Sequence, residues 1–107
     1  MLNDGTLQAL QEKSLLIVDD DRPFLTRVTR AMEQRGYSVA TAETVEDGIR
    51  AISTRPPAFA VIDMRLGDGS GLDVIAALKK HSPASRGVIL TGYGNIATAV
   101  TAVKLGA

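Results

Sequence analysis

The chain has 107 residues, and its 45% hydrophobic and 22% charged content is that of a single globular domain. Twelve acidic and twelve basic residues cancel, which argues against a nucleic-acid-binding surface built on bulk positive charge. The lack of cysteine excludes disulfides and thiol chemistry, and a single histidine argues against a zinc site.

Residues 1–13 are polar and turn-prone, and we expect them to form a loosely held leader. They lack the basic-then-apolar layout of a signal peptide. No later apolar stretch approaches the roughly 20 residues that a membrane helix needs. The sequence therefore predicts a cytoplasmic protein without membrane contact.

Four short segments predict the strands of a sheet. Residues 15–18, 58–62 and 88–90 are unbroken apolar runs, which are typical of strands buried on both faces of a parallel sheet. Residues 37–40 are more mixed in polarity, as expected for a strand at the edge of the sheet.

Helical spacing of apolar residues predicts a helix after each of these strands. The four apolar faces are Phe24, Leu25, Val28, Ala31 and Met32; Val45, Ile49 and Ile52; Leu72, Ile75 and Leu78; and Ile96, Ala99, Val100 and Val103. Each face is followed by a residue that ends helices, namely Gly36, Pro56, Pro83 and Gly106. Strict strand–helix alternation indicates an α/β domain, a doubly wound parallel sheet with helices on both faces.

Residues 88–90 predict a central strand, although the sequence ends just after the fourth helix. A strand of this kind at the border of a sheet would leave backbone groups and apolar surface uncovered. We therefore expect residues 14–107 to form a domain that is incomplete at its C-terminus and lacks a fifth strand and a fifth helix.

Polar side chains stand where three of the predicted strands end. Asp19 and Asp20 follow the first strand, Asp63 follows the third, and Thr91 follows the fourth. In open α/β sheets ligands bind beyond the carboxyl ends of the strands, so these groups should converge. Clustered carboxylates repel one another, and a hard divalent cation such as Mg²⁺, which prefers oxygen ligands, removes that cost. The pattern predicts a magnesium site.

The same residues indicate phosphoryl chemistry at a carboxylate. A carboxylate can act as a nucleophile and form an acyl phosphate. Asp63 is the preferred nucleophile, because it stands alone at the end of a middle strand. Mg²⁺ would bridge the attacking group and the phosphoryl oxygens, and the Thr91 hydroxyl could donate to one of those oxygens.

Several motifs make residues 14–107 resemble the receiver domain of two-component response regulators. They are IVDD at 17–20, VID at 61–63 followed by LGDGSGLD at 66–73, LTG at 90–92 and AVKLGA at 102–107. The segments DDDRPF and TGYGNIATAV further resemble the redox-responsive RegA/PrrA/ActR group of regulators. The resemblance implies the flavodoxin-like receiver fold.

The resemblance also implies a role for each site residue. Asp63 would accept a phosphoryl group from the phosphohistidine of a sensor histidine kinase. Asp20, Asp63 and the backbone carbonyl of Arg65 would ligate Mg²⁺ directly, and Asp19 would act mainly through water. Thr91 would swing towards the phosphoryl group. Such a domain assists its own phosphorylation and is not a classical enzyme, and it would reach DNA only through an output domain outside this chain.

The chain departs from the family pattern in two places. Gly67 stands where the family usually has proline, which should loosen the loop slightly. The family's lysine followed by proline, and its switch aromatic residue, have no counterpart, since Lys104 and Tyr93 occupy different places. An interaction or dimerisation module that never accepts phosphate therefore stays open as an alternative, and it predicts a homodimer.

The remaining acidic and glycine-rich motifs are interpreted as structural features without a role in ligand binding. Asp21 is predicted to cap the first helix, with Pro23 in its first turn. Asp68 and Asp73 are predicted to be loop and helix-start acids without a ligand role. Residues 92–97 fit the dinucleotide pattern G-x-G-x-x-A, but the sequence ends about ten residues later, without the acidic residue expected roughly 20 positions on. A mobile strand-to-helix loop is the preferred interpretation.

Overall fold

The computed structural model describes residues 13–90, which form a parallel sheet flanked by helices. In chain order the elements are β1 (Ser14–Val18), α1 (Arg22–Gln34), β2 (Ser38–Ala42), α2 (Val45–Thr54), β3 (Phe59–Asp63), β4 (Arg65–Leu66), β5 (Gly69–Ser70), α3 (Gly71–His81) and β6 (Arg86–Leu90). The four long strands lie in the order β2-β1-β3-β6, and every pairing between them is parallel. The doubly wound α/β arrangement predicted from the sequence is confirmed.

The strand order places a change of winding direction beside β1. From β1 the chain passes through α1 to β2 on one side, and then through α2 to β3 on the other side of β1. The carboxyl ends of β1 and β3 therefore lie next to each other while the connections leave in opposite directions. This is the place where open α/β sheets form a ligand crevice.

The two faces of the sheet are covered to different extents. Helices α2 and α3 cover one face, and the buried residues of that cluster are Leu16, Val18, Ala42, Val45, Ile52, Ala60, Ile62, Leu66, Val74, Ile75, Leu78 and Ile89. On the other face Leu25 of α1 packs against Leu15 and Ile17. Because side chains alternate along a strand, β1 serves both faces. Its unbroken apolar sequence is explained by this double burial.

The helix ends follow the local signals in the sequence. Asp21 caps α1, since its side chain accepts a hydrogen bond from the Phe24 backbone N–H at 3.1 Å, and Pro23 lies in the first turn. Gly36 has a φ of +91° just after α1, a backbone conformation that glycine adopts without steric cost. Thr44 caps α2 by accepting from the Asp47 backbone N–H at 3.0 Å. These contacts confirm the predicted bounds of α1 and the predicted cap.

Two features differ from the sequence prediction. The antiparallel pair β4–β5 interrupts the strict alternation of strands and helices between β3 and α3. Leu72, predicted on the buried face of the third helix, is 46% exposed. The buried face of α3 is instead formed by Gly71, Val74, Ile75 and Leu78. The first turn of α3 thus approaches the sheet through a glycine, and this leaves Leu72 outside.

The described residues do not test every prediction. Among the described strands β6 pairs with β3 alone, so the expectation of a further strand beyond β6 stays a prediction. Residues 1–12 of the predicted leader and the predicted fourth helix lie outside the described residues. Within the described range, no helix has the length and apolar character needed to cross a membrane.

Candidate functional site

Three carboxylates meet at the carboxyl ends of β1 and β3. Asp19 and Asp20 follow β1, Asp63 is the last residue of β3, and one carboxylate oxygen from each lies within 4.8 Å of the other two. The strand register explains this proximity, because Val18 pairs with Ile62 and the next residue on each strand is an aspartate. The structure thus brings together three of the side chains singled out from the sequence.

Asp19 is held at the point where the chain leaves the sheet. Its backbone N–H donates to the Ala42 carbonyl at 3.0 Å, which continues the β1–β2 pairing for one more residue. Its Oδ1 accepts from the Asp21 backbone N–H at 2.9 Å. This bond turns the chain into α1 and fixes the carboxylate of Asp19, a residue that is only 8% exposed. Asp21 itself points away, to the start of α1.

The backbone around Asp63 is fixed by β6 and by the start of α3. The Met64 N–H donates to the Leu90 carbonyl at 2.8 Å, and the Gly71 N–H donates to the Met64 carbonyl at 2.8 Å. A Cβ atom built on Gly71 would lie 2.1 Å from the Asp63 carbonyl oxygen. No side chain fits there, so Gly71 is the residue that lets α3 begin directly against the end of β3.

Burial and repulsion raise the pKa of two of the three carboxyls. The pKa of Asp19 lies above its ordinary value of 3.8 chiefly because of burial, and also because of the charges of Asp20 and Asp21, against the opposing hydrogen bond from the Asp21 N–H. The pKa of Asp63 is raised by burial and then by the charges of Asp19 and Asp20, despite the backbone amides of Arg65 and Met64. At neutral pH the ionised cluster is therefore destabilised, and a cation would relieve this repulsion.

Asp19 differs from Ser85, the other buried polar residue among those described. The Ser85 hydroxyl is satisfied inside the protein, since it donates to the Pro57 carbonyl and contacts the Ser82 hydroxyl at 2.6 Å. Such satisfaction is the rule for buried polar groups. The Asp19 carboxylate accepts a hydrogen bond from the Asp21 N–H but also lies beside two further carboxylates, and this repulsion favours a cation at the site.

The family membership of the chain is shown by comparison with known proteins. Residues 15–107 match the family model of the response regulator receiver domain. The chain belongs to this family. This receiver is 65% identical over 96 residues to the acid tolerance regulatory protein ActR of Sinorhizobium medicae, and 52% identical over 107 residues to the photosynthetic apparatus regulatory protein RegA of Cereibacter sphaeroides. The predicted resemblance to the group containing RegA and ActR is confirmed.

The matches cover 90% and 100% of this chain but 50% and 58% of these relatives, so the chain spans about half the length of the curated relatives it matches. A solved response regulator from Burkholderia pseudomallei has the same fold, with a TM-score of 0.78 and 40% sequence identity. The similarity covers 89% of this chain and 56% of that one, whose crystal structure contains a phosphorylated aspartic acid, a calcium ion and citrate. The predicted receiver fold is confirmed.

Of the two remaining predicted site residues, Arg65 and Thr91, the structure describes Arg65. Arg65 is the first residue of β4, two positions after Asp63, and pairs with Ser70 across the hairpin. This places its backbone close along the chain to the carboxylate cluster, and its ligand role stays a proposal. Thr91 lies outside the described residues, as do the glycine-rich residues 92–97 and Lys104.

Asp68 has a contact that the sequence did not reveal. Its Oδ1 accepts from the Val45 backbone N–H at 2.8 Å, and its Oδ2 accepts from the Glu46 backbone N–H at 3.1 Å. These two bonds lower the pKa of the Asp68 carboxyl. The segment Gly67-Asp68-Gly69 signals a turn. The partner amides, however, lie 22 and 23 residues earlier, and no local pattern identifies them.

Proposed function

We propose that this receiver accepts a phosphoryl group on Asp63, with Mg²⁺ held by Asp19, Asp20, Asp63 and the backbone carbonyl of Arg65. The observation that carries the proposal is the convergence of three carboxylate oxygens within 4.8 Å at the ends of β1 and β3. The raised pKa values of Asp19 and Asp63 support it, because both indicate negative charge that a cation would stabilise.

The donor set suits magnesium. Every proposed ligand atom is an oxygen, and Mg²⁺ typically takes one or two protein carboxylates together with waters and phosphate oxygens. The sequence contains no cysteine and one histidine, so the nitrogen and sulfur ligands that zinc prefers are scarce. When bound, Mg²⁺ would neutralise charge on the carboxylates and on an incoming phosphoryl group.

Asp63 is proposed as the acceptor because of its position among the three acids. It ends β3, which lies between β1 and β6, and it is partly exposed, whereas Asp19 is buried with one oxygen engaged by the Asp21 N–H. A carboxylate oxygen of Asp63 would attack the phosphorus of a phosphohistidine. The new O–P bond replaces the P–N bond, and the imidazole leaves and takes up a proton.

The partners follow from this chemistry as further parts of the proposal. The donor is the phosphohistidine of a sensor histidine kinase, and Thr91 contacts the phosphoryl group. An added phosphoryl charge biases a pre-existing equilibrium between two conformations, which an output domain controlling transcription would detect. A regulatory role of the whole protein is supported by the relatives, which are regulatory proteins by name.

Intact-mass spectrometry after incubation with Mg²⁺ and acetyl phosphate tests the proposal. We expect the protein to gain one phosphoryl group, which hydroxylamine removes because it cleaves acyl phosphates. Asp63→Asn should abolish the gain. Asp21→Asn is the matched control, since Asp21 belongs to the same acidic run but faces α1, and it should retain the modification.

Two results would reject the proposal. One is a wild-type protein that remains unmodified both with acetyl phosphate and with a phosphorylated kinase. The other is a modification that persists in Asp63→Asn. The first result, together with a dimer in sedimentation analysis, would favour the alternative of an interaction module that accepts no phosphate.

A further inference from the structure

The tip of the β4–β5 hairpin is fastened to the start of α2. Both carboxylate oxygens of Asp68 accept backbone N–H groups, from Val45 at 2.8 Å and from Glu46 at 3.1 Å. These amides belong to the first turn of α2, where helical N–H groups lack partners within the helix. The negative charge is also favoured there by the helix dipole. The contact therefore joins a turn residue to a distant helix by two charge-assisted hydrogen bonds.

The β4–β5 hairpin connects the Asp68 contact to the chain segment beside the carboxylate cluster. Leu66 is buried in the core, and the Cβ position of Gly69 is 3.4 Å from the Val45 side chain. Arg65 pairs with Ser70 at the base of the hairpin, and the bond from the Gly71 N–H to the Met64 carbonyl closes that base. The Arg65 backbone carbonyl, which is the proposed ligand, thus lies in a short hairpin. Asp68 holds the tip of this hairpin, and the bond from Gly71 to Met64 holds its base.

The anchoring helix is attached to the opposite side of the site as well. The strand that precedes α2 ends at Ala42, whose carbonyl accepts from the Asp19 N–H at 3.0 Å. The next residue, Glu43, pairs with Arg22 of α1 at 2.8 Å. The end of β2 and the start of α2 therefore contact both the segment that carries Asp19 and the hairpin that carries Arg65.

We propose that Asp68 is a positioning residue for the metal site, which sets the place of the Arg65 carbonyl relative to Asp19, Asp20 and Asp63 without touching the ion. This inference rests on the proposed function. An aspartate is required because the contact uses two acceptor oxygens and a charge, whereas asparagine supplies one acceptor oxygen and no charge. Loss of the contact would remove the two hydrogen bonds that fasten the tip of the hairpin to α2, and the ligand set would be less well ordered before the ion binds.

Calorimetric titration with Mg²⁺ tests the inference. We expect Asp68→Ala to weaken Mg²⁺ binding about tenfold and Asp68→Asn about threefold, as preorganisation of the site is lost in stages. Thr44→Ala is the matched control. It removes the N-cap acceptor of α2, whose bond is to the Asp47 N–H of the same helix, so it should lower thermal stability while changing Mg²⁺ affinity less than about twofold.

Nuclear magnetic resonance provides the readout that a purely structural role would not change. In Asp68→Ala, the amide signals of Arg65 and Leu66 should shift or broaden without Mg²⁺ and should recover at saturating Mg²⁺. Thr44→Ala should leave these signals in place.

The outcomes separate the inference from the function on which it rests. If the wild type binds Mg²⁺ and Asp68→Ala binds it equally well, the inference fails and the proposed function stands. If Thr44→Ala weakens binding as much as Asp68→Ala, Asp68 only stabilises the fold and the inference fails again. If the wild type binds no Mg²⁺, or if Asp63→Asn binds it unchanged, the proposed function fails and the inference falls with it.

Discussion

Asp63 and Asp68 are five residues apart but lie in opposite electrostatic environments. Asp63 shares the end of the sheet with Asp19 and Asp20, and burial and these charges raise its pKa. Asp68 faces the start of α2, where two backbone amides lower its pKa. The first carboxylate is destabilised in its ionised form by the folded protein, and the second is stabilised in that form.

The difference shows how one residue type serves two purposes within five positions of the chain. A carboxylate that receives helix N-terminal amides strengthens the fold. A carboxylate placed beside others weakens the ion-free fold and leaves charge available for a cation. Substitutions that remove charge should therefore have opposite effects on stability in the two regions.

The largest expected effect on stability concerns Gly71, the first residue of α3. Gly71→Ala places a Cβ atom 2.1 Å from the Asp63 carbonyl oxygen, so α3 and the end of β3 must separate. We expect a loss of about 3 kcal/mol in the free energy of unfolding, as for severe overpacking, measured by urea denaturation. Gly67→Ala is the control, because nothing lies within 4 Å of its Cβ position, and it should change stability by less than about 1 kcal/mol. Equal losses for both variants would contradict this account.

A smaller effect, of opposite sign, is expected for Asp63→Asn. Without Mg²⁺ at neutral pH this variant should be more stable than the wild type by about 1 kcal/mol, the order of repulsion between two solvated charges at such distances. Burial and then the charges of Asp19 and Asp20 raise the pKa of Asp63, so the folded state takes up its proton first as the pH falls, and the destabilisation disappears below 3.8. The advantage of the variant should thus be full at neutral pH and absent in acid.

Urea denaturation across this pH range checks the prediction for Asp63→Asn. Addition of Mg²⁺ at neutral pH should reduce or reverse the advantage, since the ion stabilises only the wild type. Asp73→Asn is the control, because Asp73 lies in the first turn of α3 outside the carboxylate cluster, and it should give no gain. A pH-independent gain for Asp63→Asn would rule out the buried and crowded charge of Asp63 as the cause.

The smallest effect on the site is expected for Asp21→Ala. This change removes the acceptor for the Phe24 N–H at the start of α1 and should cost about 1 kcal/mol of stability, as for other helix caps. Mg²⁺ affinity should fall less than about threefold, because only a neighbouring charge is lost and no proposed ligand. Thermal denaturation and calorimetry measure the two quantities. A tenfold loss of affinity would place Asp21 inside the site.

The sequence predicted those features whose signals are local. Apolar runs placed β1 and β3, and the rule that parallel strands end at one edge brought Asp19, Asp20 and Asp63 together before any coordinates. Asp21 and Gly36 follow capping patterns that depend only on adjacent residues. For the caps a short window of sequence contains both partners of the interaction, whereas the three carboxylates are far apart in sequence and were brought together by the general rule for parallel sheets.

The features that were missed depend on distant partners. The hairpin β4–β5 is too short to show alternation in sequence, and the bonds of Asp68 reach a helix 22 and 23 residues earlier. The exposure of Leu72 follows from the approach of Gly71 to the Asp63 carbonyl, which is a matter of tertiary packing. Helical spacing of apolar residues alone could not show that Gly71 is buried and that its neighbour Leu72 is exposed.

The all-parallel sheet determines when the site can first exist during folding. Parallel neighbours cannot be joined by a tight turn, and the Ser14 hydroxyl at the start of β1 meets the Ala58 N–H 44 residues later. Closing such long loops slows folding relative to proteins with local contacts. A nascent chain made only as far as β2 already carries Asp19 and Asp20 but has no third carboxylate. The three carboxylates should therefore come together in one step, when β3 docks on β1, and Mg²⁺ affinity should report that docking.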